Sequence, residues 1–182
     1  MKSKNFHLIK SISYGIVLLA AVSSIIGVFD RGGGEVSSVV SPRGEEYEMV
    51  MDGIYKYNSQ RMVAEGIGWD IFTLVLAVPA LIVVLLKLRT TSIRGFLILM
   101  GILSYFWYQY FMYALGWAFG PLFLLYILIF VLAIVGMILV ASQINIKLLA
   151  KNVNSRFPRK AMAALCFGLA VLLLVMWLQR II

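Results

Sequence analysis

The sequence predicts an all-α, polytopic transmembrane helix bundle of five spans, a single membrane domain over residues 1–182, and three observations point there. Hydrophobic residues make up 62% of the chain and charged residues 13%, with a mean hydropathy of +0.95; soluble domains have roughly 45–50% apolar residues. The apolar residues collect in runs close to the roughly 20 residues a helix needs to cross a bilayer. The Lys and Arg residues gather in short segments between alternate runs, as cytoplasmic loops of membrane proteins do.

The first run, 11–29, follows a basic start with Lys2, Lys4, Lys10 and the single histidine, His7. At 1.5 Å per residue it spans about 28 Å, near the roughly 30 Å hydrocarbon core. It reads as a retained anchor, with a cleavable signal peptide as the alternative because Ala20, Ala21, Ser23 and Ser24 lie near its end. His7 has no neighbouring partner and is given no role.

Residues 30–68 form an acidic segment between spans one and two. With Asp70 just beyond it, this stretch holds every acidic residue of the protein: Asp30, Glu35, Glu45, Glu46, Glu48, Asp52, Glu65 and Asp70. Arg31-Gly-Gly-Gly and Ser41-Pro42 break regular structure early in it. Tyr47, Val50, Met51, Ile54 and Tyr57 recur at helical spacing, which predicts an external amphipathic helix over Glu45–Ala64, bent at Gly53; a loop is the alternative, since Gly53 and Gly66 weaken a helix.

The second span, 69–86, starts at the interfacial Trp69 and carries Pro79, which predicts a kink with a carbonyl freed near Val75. Lys87, Arg89 and Arg94 follow. The third and fourth spans, 95–115 and 121–142, are joined by the uncharged Gly116-Trp-Ala-Phe-Gly120, a tight hairpin. Lys147, Lys151, Arg156, Arg159 and Lys160 precede the fifth span, 161–178. The N-terminal tail and these two links hold basic residues and no acid, so the positive-inside rule predicts a plasma-membrane protein with a cytoplasmic N-terminus and an external C-terminus. The formal charge of +8 therefore reflects topology, and no nucleic-acid partner is expected.

Chemistry-bearing residues concentrate near one end. Tyr105, Gln109 and Tyr113 are spaced four apart on one side of the third span. A buried phenol or amide costs several kcal/mol if unpaired, so these groups must face protein, water or ligand. Asp70 sits at the outer end of the second span with Thr73 one turn on; it reads either as a helix-capping acid or as the anion of a pocket completed by Gln109, Tyr113 and Tyr126. Tyr110, Tyr113 and Trp117 have the competing reading of an interfacial aromatic belt.

Catalysis lacks a constellation. No acid follows Asp70, and no Ser/His, Cys-x-x-Cys or His-Glu-x-x-His arrangement exists. The lone Cys166 excludes a thiol-pair oxidoreductase and an internal disulfide. No cofactor or metal site is expected.

The stretches Tyr55-Lys-Tyr57, Gly68-Trp-Asp70, Pro79, Arg94-Gly95, Gly101, Tyr105 to Tyr113 and Pro121 to Tyr126 resemble a group of prokaryotic integral membrane proteins of unassigned function, over roughly residues 50–160. The resemblance implies a membrane helix bundle whose members continue past the fifth span, whereas this chain ends at Gln179-Arg-Ile-Ile182. Two functions fit the residues. One binds or helps transport a small cationic or hydroxylated ligand in an outward-facing aromatic pocket of Asp70, Thr73, Tyr105, Gln109, Tyr113 and Tyr126. The other is a non-catalytic accessory, sensor or assembly subunit whose partners are the lipid bilayer and another membrane protein.

Overall fold

The computed structural model describes residues 3–152 and 157–181; Lys2, Arg156 and Ile182 lie outside the described residues. Five of its helices are long and apolar enough to cross a membrane: Asn5–Phe29, Gln60–Lys87, Ile93–Leu115, Phe123–Gln143 and Arg159–Met176. The chain divides into two units, residues 1–144 and 145–182. The first contains α1 (Ser3–Phe29), β1 (Val36–Val40), β2 (Glu46–Val50), α2 (Gln60–Phe72), a π-helical turn (Thr73–Ala77), α3 (Val78–Lys87), α4 (Ile93–Leu115) and α5 (Phe123–Gln143). The second contains α6 (Ile146–Asn152), a short helix within the expected basic linker, and α7 (Arg159–Ile181).

The core of the first unit follows from the spacing of its buried residues. On α4, Phe96, Leu99, Leu103, Phe106, Tyr110 and Tyr113 are buried, and on α5 Tyr126, Ile129, Ala133, Gly136 and Val140. Both sets alternate steps of three and four, the seam of two helices lying nearly side by side. A Cβ at Gly136 would stand 3.2 Å from Leu103 Cδ1, so this glycine sets how closely the pair approaches. The inner face of α1 adds Ile9, Ile16 and Ala20 together with the buried hydroxyls of Ser13, Ser23 and Ser24. Small residues there let α1 come close to its neighbours, the usual basis of helix association in lipid.

The acidic segment differs from expectation. Glu45–Ala64 is not one amphipathic helix: β1 and β2 pair antiparallel, Val36 opposite Val50 and Val40 opposite Glu46. The signal lies in Ser41-Pro42-Arg43-Gly44. Gly44 N–H donates to Ser41 O (2.9 Å), Ser41 N–H donates to Glu45 O (2.7 Å) and Gly44 has φ 82°, a three-residue hairpin turn with proline and glycine where each is favoured. Tyr47 and Met49 are half-buried while Glu46 and Glu48 are exposed, which is the two-residue period of a strand. A helical period fits the same five apolar residues, and the turn decides between them.

Past β2 the chain folds into a cap. Val50 N–H donates to Asn58 O (3.0 Å) and Tyr57 N–H to Val50 O (2.6 Å). Gly53 and Tyr57 both adopt left-handed backbone, φ 73° and 67°. Asn58 fastens the cap to the α4–α5 turn: its Oδ1 accepts from Ala118 N–H at 3.0 Å while its Nδ2 donates to Tyr55 O at 3.1 Å. Gly33 N–H donates to the Asp52 carboxylate, tying the glycine run to the same loop.

The second span starts nine residues earlier than 69, at Gln60. Ser59 caps it by accepting from Met62 N–H (3.4 Å). Gly66 does not end this helix, because the indole of Trp117 fills the space that it leaves and would collide with any side chain there. The expected Pro79 kink takes the form of a π-helical turn. Val78 N–H bonds Thr73 O, five residues back, and the extra residue in the turn makes room where the Pro79 ring would meet the carbonyl four residues earlier.

Candidate functional site

Asp70 is the centre. It lies inside α2, so it is not a cap for a helix start, and it is only 1% exposed. Helix α1 crosses it at Gly27, where a Cβ would overlap the carboxylate. From the cap, Tyr55 Oη donates to Asp70 Oδ2. From α4, Tyr113 Oη lies 3.0 Å from Gly66 O and 3.5 Å from Asp70 Oδ1.

A phenol has one proton to donate. At these distances the Gly66 carbonyl takes it, and the 3.5 Å approach to Asp70 is at the limit of a hydrogen bond. Asp70 thus keeps one firm donor, Tyr55, for two buried oxygens. Ser24 on α1 lies near the same carboxylate, yet its buried hydroxyl completes no hydrogen bond. Neutral hydroxyls surround a group that a cation or several strong donors would satisfy better.

Aromatic rings enclose this group. Tyr113 sits 5.0 Å from Tyr126, 5.8 Å from Tyr110 and 4.9 Å from Trp117, centroid to centroid. Tyr55 is 5.1 Å from Trp117 and 6.2 Å from Tyr113. Tyr110, Tyr113 and Tyr126 are buried and face inward, which removes the belt reading for Tyr110 and Tyr113. Burial, and then the neighbouring phenols Tyr113 and Tyr126, push the Tyr55 hydroxyl far above its ordinary value of 10.0. It stays protonated and acts as donor.

The six expected residues fall into three linked places. Asp70, Tyr113 and Tyr126 form the enclosed group. Thr73 and Tyr105 pair one turn further along: Thr73 Oγ1 donates to Trp69 O (2.8 Å), so across the 2.7 Å contact it is Tyr105 that donates to Thr73. Gln109 is 3% exposed and lines a separate cleft with Glu65, Trp69, Tyr108, Met112 and Trp117.

Sequence reasoning left out Tyr55, Gly27, Ser24, Trp117 and the pair Ser23–Tyr110. Ser23 Oγ donates to Ala20 O (3.1 Å), so Tyr110 donates to Ser23 across 2.8 Å. A signal existed in the first run, where two serines and a glycine lie within about one helical turn of each other, on a face otherwise apolar. Tyr55 had none, because only the cap's fold aims it at Asp70. Among the described residues no group of three or more His, Cys, Asp or Glu is placed to hold a metal.

Comparison with known protein families, with curated proteins and with solved structures gives no match.

Proposed function

We propose that this chain is a multi-pass plasma-membrane protein that binds, or helps transport, a small cationic or hydroxylated ligand at Asp70, entering from the capped end past Tyr55. The observation that carries the reading is the Asp70 carboxyl group, 1% exposed and held by one firm hydrogen bond. An ionisable group within a spanning helix is costly and marks function by default. The five apolar helices support membrane insertion, and the basic links support a cytoplasmic N-terminus, an external cap and an external C-terminus. A ligand amine or hydroxyl takes the place of the Tyr55 phenol, with Ser24 as a further partner and the faces of Tyr113 and Tyr126 against its positive charge.

Left-handed Gly53 and Tyr57 bracket Tyr55. A non-glycine residue in that conformation costs of order 1–3 kcal/mol, and such strain clusters at ligand clamps and switches. The accessory-subunit reading has its own support in the closed packing of the rings, which needs no ligand to be stable.

Thermal unfolding of the purified full chain separates the two readings, with methylammonium, tetramethylammonium and glycerol as probes. Binding to the folded state contributes about 2.7 kcal/mol at a hundredfold excess over Kd. The pocket reading expects at least one probe to raise Tm in the wild type and none to do so in Asp70→Asn, which still inserts and folds. No shift with any probe, or equal shifts in both proteins, supports the accessory subunit instead.

A further inference from the structure

Beside the Asp70 group, about 100° round α2 from Gly66 and Asp70, lies a cleft of about 70 Å³ between α2 and α4, lined by Glu65, Trp69, Tyr108, Gln109, Met112 and Trp117. Gln109 is 3% exposed as a residue, and among the described residues its amide completes no hydrogen bond. Its polar atoms are not among the fully enclosed ones without a partner, so the amide, with two donors and an acceptor oxygen, opens onto the cleft that it lines. Glu65 is exposed at its mouth and makes no ion pair among the described residues, although Arg61 lies one turn back. Trp69 and Tyr108 are 37% and 48% exposed, so aromatic faces are open to an occupant and not consumed by the core.

From this juxtaposition we infer that the cleft binds a primary ammonium group, carried either by an aminolipid headgroup or by a free amine. Three N–H donors match the Glu65 carboxylate and the Gln109 carbonyl oxygen, and the rings of Trp69, Tyr108 and Trp117 attract the charge. Donor count separates the candidates: a trimethylammonium has no N–H and leaves Gln109 unanswered. The exposed Trp69 and Tyr108 are of the type that lies at headgroup level, where an aminolipid presents its amine. The site is independent of Asp70 and shares with it only Trp117, which touches Tyr55 and lines the cleft.

The test is tryptophan fluorescence of the full chain in maltoside micelles, titrated with ethanolamine, phosphatidylethanolamine, choline and phosphatidylcholine. A saturable response to an ethanolamine compound is expected, with the matching choline compound at least about tenfold weaker. Glu65→Gln, at an exposed position, is expected to weaken the response by about tenfold, and Gln109→Leu, which keeps volume, to do the same. Saturation by the lipid alone assigns the headgroup; saturation by free ethanolamine as well assigns the amine in general. Equal binding of choline compounds, an unchanged response in Glu65→Gln, or no saturable response to either ethanolamine compound overturns the proposal.

Discussion

Tyr55 is the residue on which the enclosed group depends. Replacing it with Phe removes the one firm donor to a buried carboxyl, a loss of about 1–3 kcal/mol. Its titration gives a second readout. The folded-state value is raised, so the contribution of this phenol is fully present below its ordinary value of 10.0 and is lost as pH rises beyond it, because the unfolded chain then releases a proton that the folded chain keeps. Unfolding measured from about pH 9 upward is expected to show stability falling less steeply in Tyr55→Phe, the difference growing to about one proton, or about 1.4 kcal/mol per pH unit, about one pH unit above the ordinary value. An unchanged slope means the phenol is not held as described. This residue also marks where the sequence stops being informative. Asp70, Tyr113 and Tyr126 stand out as polar groups in apolar helices, and the inward direction of the two tyrosines follows from the α4 and α5 seams. Tyr55 sits in a loop whose composition says nothing of where its side chain points.

At the level of elements, the apolar runs define the helices because length and hydropathy are strong signals in lipid. Their ends are weaker. Gly66 looks like a helix breaker by propensity, but Trp117, far along the chain, needs the space it leaves, and a tertiary contact of that kind is not visible locally. Glu45–Ala64 fails for a different reason: five apolar residues fit both a 3.6 and a 2.0 period, and the Ser-Pro-Arg-Gly turn is the better guide. Pro79 is the clearest case of partial legibility. Proline announces an irregularity but not its form, here a π-helical turn over Thr73–Ala77. Pro79→Ala is expected to let that turn close into α-helix, which shifts register by one residue, about 100° of rotation, between Asp70 and α3. The Thr73–Tyr105 hydrogen bond then breaks, and probe-induced stabilisation falls further than the Tm of the free protein. Retention of the π-helical turn in a structure of Pro79→Ala would contradict this.

For the whole molecule, the charge pattern and the cap converge on one picture. Every acidic residue lies within Asp30–Asp70, the stretch that forms the hairpin, the cap and the first turns of α2, while the basic links carry none. Asp70 is ten residues into a helix of 28, about 15 Å from its start, just past Trp69 and at the beginning of the helix's uninterrupted apolar stretch. Tyr55 closes that end. On the proposed reading the Asp70 site opens outward, and Tyr55 is its door. The direct measurement is the rate at which a small membrane-impermeant thiol reagent labels Ser24→Cys, beside the Asp70 carboxylate, in sealed cells, in a Cys166→Ser background that keeps Asp70, with and without Tyr55→Ala. Slow labelling with Tyr55 present and a rate at least about tenfold higher without it, equivalent to about 1.4 kcal/mol of lost closure, is the expected result; an identical rate in both proteins, or labelling only after permeabilisation, would contradict it.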